Sequence, residues 1–103
     1  MNHKRRRRDQ YFVYIVQCKN GTYYTGYTND LSARIKRHNS GHGAKYLKGK
    51  LPVMLVYAKE YCYYKSALNG ERDLKKLGRA AKEKLIRSYN KTPQVSSKPK
   101  RGV

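Results

Sequence analysis

The stretch "YFVYIVQCKNGTYYTGYT", Tyr11 to Thr28, decides how the chain is read. Six of its first seven residues, Tyr11 to Gln17, are β-branched or aromatic, and the run predicts a strand. Asn20-Gly21 is a hairpin signal, and Thr22 to Thr28 predict a second strand. The bulk is unusual: the chain has 11 tyrosines, one phenylalanine and no tryptophan. Three of the tyrosines fall within Thr22 to Tyr27, where Val, Ile or Leu would pack as well without a hydroxyl to satisfy. The turn has two readings. A two-residue Asn20-Gly21 turn pairs Tyr14 with Tyr27 and sends Tyr14 and Tyr24 to opposite faces. A three-residue Lys19-Asn20-Gly21 loop with a left-handed Gly21 pairs Tyr14 with Gly26 and puts Tyr14 and Tyr24 on one face. "KNG" suits both. In either register Tyr23 and Tyr24 point apart. Tyr27, beyond Gly26, reads as a rim or stacking residue.

Outward from the hairpin, "NDLSARIKRHNSG" opens on cap residues and ends on Gly41, a short helix. "HGAKYLKGKL" is a Gly- and Lys-rich loop, and "PVMLVYAKEY" a third strand with Pro52 at its first residue. "YKSALNGERDLKKLG" and "RAAKEKLIRSY" are two further helices, the first ending at Gly78. The order is β-β-α-β-α-α. The fold class is α/β, a three-stranded antiparallel sheet that helices must flank, because three strands alone do not make a stable core. Residues 10–90 form one domain, between a disordered basic arm at 1–9 and a disordered Pro-, Ser- and Lys-rich tail at 91–103.

Charge bounds the partner. The chain has 25 basic residues against 6 acidic, formally +19. Between Gln10 and Asn90 the count is 16 against 5, so the domain itself carries +11. Self-repulsion of that size opposes a compact state, and a polyanion is the simplest reason for it. Nucleic acid is the commonest polyanion, DNA or RNA. A membrane surface is disfavoured, since no basic amphipathic helix with a broad apolar face stands out and no run is long enough to span a bilayer. "YFVYIVQC" is too short for a secretory apolar region and no small-residue cleavage site follows it. "KRRRR", Lys4 to Arg8, reads as a phosphate-binding arm, a nuclear address in a eukaryote, or a solvated tail. Cys18 and Cys62 lack metal-like spacing and read as free thiols in a reducing cytosol, with a nucleoid association in a bacterium.

Polar residues fall where a core belongs. At about 100° per residue, Arg34 and His38 lie within about 60° of Leu31, on the apolar side of the first helix. Arg34 is then a stem over the core edge or a functional cation, and His38 a satisfied core histidine or a functional one. In the second helix Glu71 falls about 40° from Ala67, inside the apolar stripe. A carboxylate there needs a cationic partner or a metal. A structural ion pair and a divalent-cation ligand facing phosphate are the two readings. Gly70, mid-helix, costs about 1 kcal/mol relative to Ala and marks a close approach to the backbone.

These residues together resemble the GIY-YIG nuclease superfamily. "FVY" (Phe12-Val13-Tyr14) stands where the family has Gly-Ile-Tyr, and "YTG" (Tyr24-Thr25-Gly26) where it has Tyr-Ile-Gly. "LSARIKRH" is similar to its Arg-containing helix, and "ALNGERDLKK" to its Glu-containing helix. With "HNSGHGAKYLKGKLPVMLVY", the chain looks most like the small single-domain bacterial-type members, over about Gln10 to Tyr89. The resemblance implies an α/β sandwich and a divalent-metal endonuclease hydrolysing DNA phosphodiester bonds, in repair or nucleic-acid turnover. It implies Tyr14, Tyr24, Arg34, His38 and Glu71 as catalytic residues, with Glu71 the ligand of Mg²⁺ or Mn²⁺. A tyrosine or His38 would deprotonate water, neighbouring cations favouring a phenolate. Tyr27 stands where the family often has Lys, and Glu83 near where many members have Asn. The rival readings are a non-catalytic basic nucleic-acid binder that keeps the fold, and an RNA- or ribosome-associated basic protein.

Overall fold

The computed structural model describes residues 10–91; the expected basic arm, and the expected tail beyond Lys91, lie outside the described residues. Strands β1 (Tyr11–Gln17), β2 (Tyr23–Thr28) and β3 (Met54–Tyr61) form one sheet in the order β2-β1-β3, with both pairs antiparallel. Helices α1 (Leu31–Arg37), α2 (Tyr64–Lys75) and α3 (Arg79–Lys91) complete the β-β-α-β-α-α order. Among the described residues no helix is long and apolar enough to cross a membrane. Cys18, buried, and Cys62, exposed, are both free thiols.

The hairpin adopts the three-residue loop. The Cys18 amide donates to the Thr22 carbonyl at 2.8 Å, the Gly21 amide to the Cys18 carbonyl at 2.9 Å, and Gly21 sits at φ 90°. A side chain at that φ is strained, so glycine is what lets the loop close this way. The Asn20 side chain accepts from the Thr22 amide and hydroxyl, which locks the turn. The register follows: Tyr14 pairs with Gly26 and Val16 with Tyr24, so Tyr14 and Tyr24 share a face.

β1 lies between the other two strands and is buried on both sides, with two separate cores built on its alternate residues. Val13 and Ile15 face α2 and α3 and pack with Ala67, Leu74 and Ile86. Tyr14 and Val16 face α1 and the following loop and pack with Cys18, Leu47 and Val53. Gly70 has its reason on the first side: the Tyr61 ring and hydroxyl press on α2 where a Cβ would stand.

Several boundaries differ from the sequence reading; α2, for one, ends at Lys75 and not at Gly78. The last turn before Gly41 widens to a π-type turn over His38–His42, with Gly41 at φ 90°. β3 begins at Met54, not Pro52, because the Asn39 side chain takes the backbone of Val53. The Asn39 Oδ1 accepts from the Val53 amide at 2.7 Å and its Nδ2 donates to the Val53 carbonyl at 3.2 Å. The loop expected to be irregular contains one 3₁₀ turn, Lys45–Leu47, whose Leu47 is a core residue.

Candidate active site

Tyr14 points from the middle of β1 toward α1 and is fully buried. It lies across β2 at Gly26, where an added Cβ would stand 2.7 Å from the Tyr14 hydroxyl. The glycine of "YTG" is therefore the floor on which the tyrosine of "FVY" rests. The hydroxyl lies 2.9 Å from Nε2 of His38, which α1 and its widened last turn carry back over the sheet. Burial, then Tyr24 nearby, pushes the Tyr14 phenol up to about 12, against the pull of Arg34. Arg34 does pull the Tyr14 phenol toward phenolate, as the sequence reading has it, but more weakly than burial pushes the other way. Desolvation there outweighs one guanidinium.

The charge of Arg34 is felt at the Tyr14 hydroxyl. The hydrogen bond between Tyr14 and Nε2 of His38 takes its direction from the tautomer of the imidazole. Burial, Arg34 and Arg37 all hold His38 below its ordinary range, so the ring is neutral. Its Nδ1 finds no hydrogen-bond partner among the described residues and abuts Gly43, where any Cβ would collide with the imidazole.

Tyr24 meets the His38 ring edge-on, with centroids 5.6 Å apart. Its other neighbour is Tyr46, stacked at 5.8 Å, and the Lys50 ammonium sits 3.5 Å over Tyr46. Tyr46, Lys50, Leu47 and Asn39 escaped the sequence reading. They stand in a segment with no periodicity, and the one available signal was an aromatic residue between two lysines.

Arg34 is half-buried on α1, whose start is capped by the Asp30 side chain accepting from the Ala33 amide at 3.1 Å. No carboxylate forms an ion pair with Arg34 among the described residues. It lines a cleft of about 390 Å³ with Tyr11, Tyr27, Thr28, Asn29 and Tyr64. Glu71 comes from α2, its side chain 16% exposed and its Oε2 3.1 Å from Nζ of Lys75. Its charge reaches both Tyr14 and Tyr27. The fold thus brings Tyr14, Tyr24 and His38 into one connected group, with the charges of Arg34 and Glu71 felt at Tyr14. Glu83 is elsewhere: it binds Arg79 at 3.0 Å and the Tyr23 hydroxyl at 3.4 Å, beside the hairpin turn.

A divalent cation fits Glu71 by the chemistry of its donor. Mg²⁺ is commonly held by one or two carboxylates, the remaining positions being water and substrate phosphate. Among the described residues no group of three His, Cys, Asp or Glu side chains is arranged to hold a metal.

Known proteins share this fold and sequence pattern. The GIY-YIG catalytic domain matches residues 10–85. A UPF0213 protein of Staphylococcus epidermidis is 47% identical over 78 residues, covering 76% of this chain and 95% of the relative. A UPF0213 protein of Staphylococcus aureus is 47% identical over 79 residues, covering 77% and 96%. The solution NMR structure of a UPF0213 protein from Bacillus halodurans superposes with a TM-score of 0.54 at 38% identity, over 88% of this chain and 97% of that one. A solution NMR structure from E. faecalis gives 0.56 at 30% identity, over 84% and 92%. With its catalytic-domain match spanning most of the sequence and its fold shared, the chain belongs to the GIY-YIG nuclease superfamily.

Proposed function

We propose that this protein is a divalent-metal-dependent endonuclease that hydrolyses DNA phosphodiester bonds. The observation that carries the reading is the Arg34 guanidinium at the cleft, which forms no ion pair with a carboxylate among the described residues. A guanidinium with no carboxylate partner, in a domain carrying +11, is a ready receptor for a phosphate. Its fork of donors meets non-bridging phosphoryl oxygens, whose charge rises toward the transition state. Glu71 would hold Mg²⁺ or Mn²⁺, which when bound relieves charge on the leaving 3′ oxygen. Tyr14 and His38 lie one layer beneath the surface, at 0% and 2% exposure. Their role is then to brace the site from beneath, where His38 meets both Tyr14 and Tyr24. Tyr24, half-buried above His38, stands closer to the substrate.

The rival is a basic nucleic-acid binder that does no chemistry. It draws on the Glu71–Lys75 ion pair, which gives the carboxylate a structural partner. That pair is weak support, because Lys75 is 56% exposed and such pairs contribute little. The test is a panel of branched, single-stranded and duplex DNA incubated with Mg²⁺, with Mn²⁺ and with EDTA, using protein free of host nucleases. Cleavage confined to the metal lanes is the expected result. Binding without cleavage on every substrate supports the rival.

A further inference from the structure

The cleft beside Arg34 has a wall that phosphate chemistry does not explain. α2 opens on Tyr63 and Tyr64, which are 50% and 48% exposed. Tyr64 is held in place although half of it is open. Its ring centroid lies 5.7 Å from Tyr11 and 5.8 Å from Tyr27, tilted to each by 56° and 59°. Its hydroxyl is 3.3 Å from that of Tyr27. Three rings from three elements therefore brace one another around one concavity. Two of them come from the strands whose other face builds the site, so the wall and the guanidinium are positioned by the same sheet.

The size and charge fit one ligand class. About 390 Å³ is within the usual range of small-molecule sites, roughly 300–1,000 Å³. The lining is aromatic on one side and carries a guanidinium on the other, with Asn29 on the rim. An apolar partner would leave Arg34 unpaired, and a bare phosphate would leave the rings unused. A nucleotide uses both: its base has a π-face for the rings and its phosphate has oxygens for Arg34.

We propose that the Tyr11–Tyr27–Tyr64 cleft is a nucleobase-stacking subsite that takes one unpaired base of the nucleotide whose phosphate meets Arg34. Stacking on tyrosine is tolerant of base identity, so the subsite selects for an unpaired base and not for a sequence. DNA with frayed, single-stranded or branched character is then favoured over intact duplex, where each base is already stacked on its neighbours. The inference rests on the reading of Arg34 as the phosphate receptor.

The test is equilibrium binding in EDTA, where nothing is cleaved. Labelled duplexes carry one bulged, unpaired nucleotide whose base is present or missing, with a fully paired duplex as reference. For the wild type, binding is expected to weaken about 10-fold when the bulged base is missing. Tyr64→Ala is expected to weaken binding to the intact bulge by a similar factor and to erase the difference between the two bulges. Tyr64→Phe, which keeps the ring and loses the Tyr27 contact, is expected to retain most of it. Circular dichroism of each variant checks the fold. Equal binding of the two bulges by the wild type overturns the proposal, as does a difference that survives in Tyr64→Ala. A loss in Tyr64→Ala that is equal on both bulges and on the paired duplex also overturns it, because that is the signature of a general contact. If the nuclease reading alone is wrong, the difference stays and cleavage on adding Mg²⁺ is absent.

Discussion

The two faces of β1 come from one seven-residue run, yet they are different materials. Toward α2 and α3 it presents Val13 and Ile15, and the core there is closed by Ala67, Leu74 and Ile86. Toward α1 it presents Tyr14 and Val16, and the most buried groups include a phenol and an imidazole joined by a 2.9 Å hydrogen bond. Each face removes side chains from water to about the same degree. The first does so with atoms that have nothing to satisfy. The second buries polar atoms, which costs more than it returns unless every bond is made, and His38 Nδ1 has none. A fold that needed stability alone would have two faces like the first. On the proposed function, the polar one is where stability is given up for a site.

If that contrast holds, substitutions on the two faces fail in different ways. Ile15→Ala, at a residue with 0% exposure, is expected to cost roughly 2–5 kcal/mol in urea unfolding. Whatever protein remains folded should cleave normally. Tyr14→Phe removes one oxygen from an equally buried ring. It should cost about 1–3 kcal/mol, since Nε2 of His38 loses its partner. Cleavage should fall roughly 10–100-fold, as when a group that orients a reacting one is removed. Equal activity in Tyr14→Phe and wild type would make the polar face a packing device. Gly43→Ala tests the same face from the loop side. Its methyl needs the space of the imidazole, so His38 must shift, with a stability loss of about 1–3 kcal/mol and a smaller fall in cleavage than for Tyr14→Phe.

The smallest effect is in the pH dependence of stability. The folded chain holds His38 below its ordinary value of 6.5, so the unfolded state binds the proton more readily. The contribution is complete above pH 6.5 and is lost as the pH falls through the depressed folded value. The urea midpoint should therefore fall from pH 7 to pH 5 more steeply in the wild type than in His38→Gln, which has no proton to gain. Parallel slopes would remove His38 as the neutral, buried partner of Tyr14.

Much of this was legible in the residues. Alternation, "NG" and the cap residues give the element order, and helical spacing places Arg34 and His38 on the side of α1 that meets the sheet. The parity of the tyrosines was not legible, because "KNG" suits two turns of nearly equal local energy. The choice between them shows in the Cys18–Thr22 bond and the left-handed Gly21. Gly70 announced a close approach, but that Tyr61 makes it depends on how α2 folds back onto β3. The loop from His42 to Leu51 was the least legible. Leu47, Tyr46 and Lys50 are placed by contacts with Tyr24 and the far end of β1, and Asn39 by Val53 fourteen residues on. No periodicity encodes such contacts.

Everything proposed for the polar face depends on its being a place of chemistry, and Glu71 tests that most directly. A phosphate binder gains nothing from a carboxylate that lowers its own positive charge. Wild type and Glu71→Ala should be compared on a labelled branched DNA in Mg²⁺ and in Mn²⁺, with DNA affinity measured in parallel across a salt series. The account predicts that Glu71→Ala loses cleavage in both metals while its affinity and salt dependence stay close to those of the wild type. Cleavage by Glu71→Ala at the wild-type rate would contradict it.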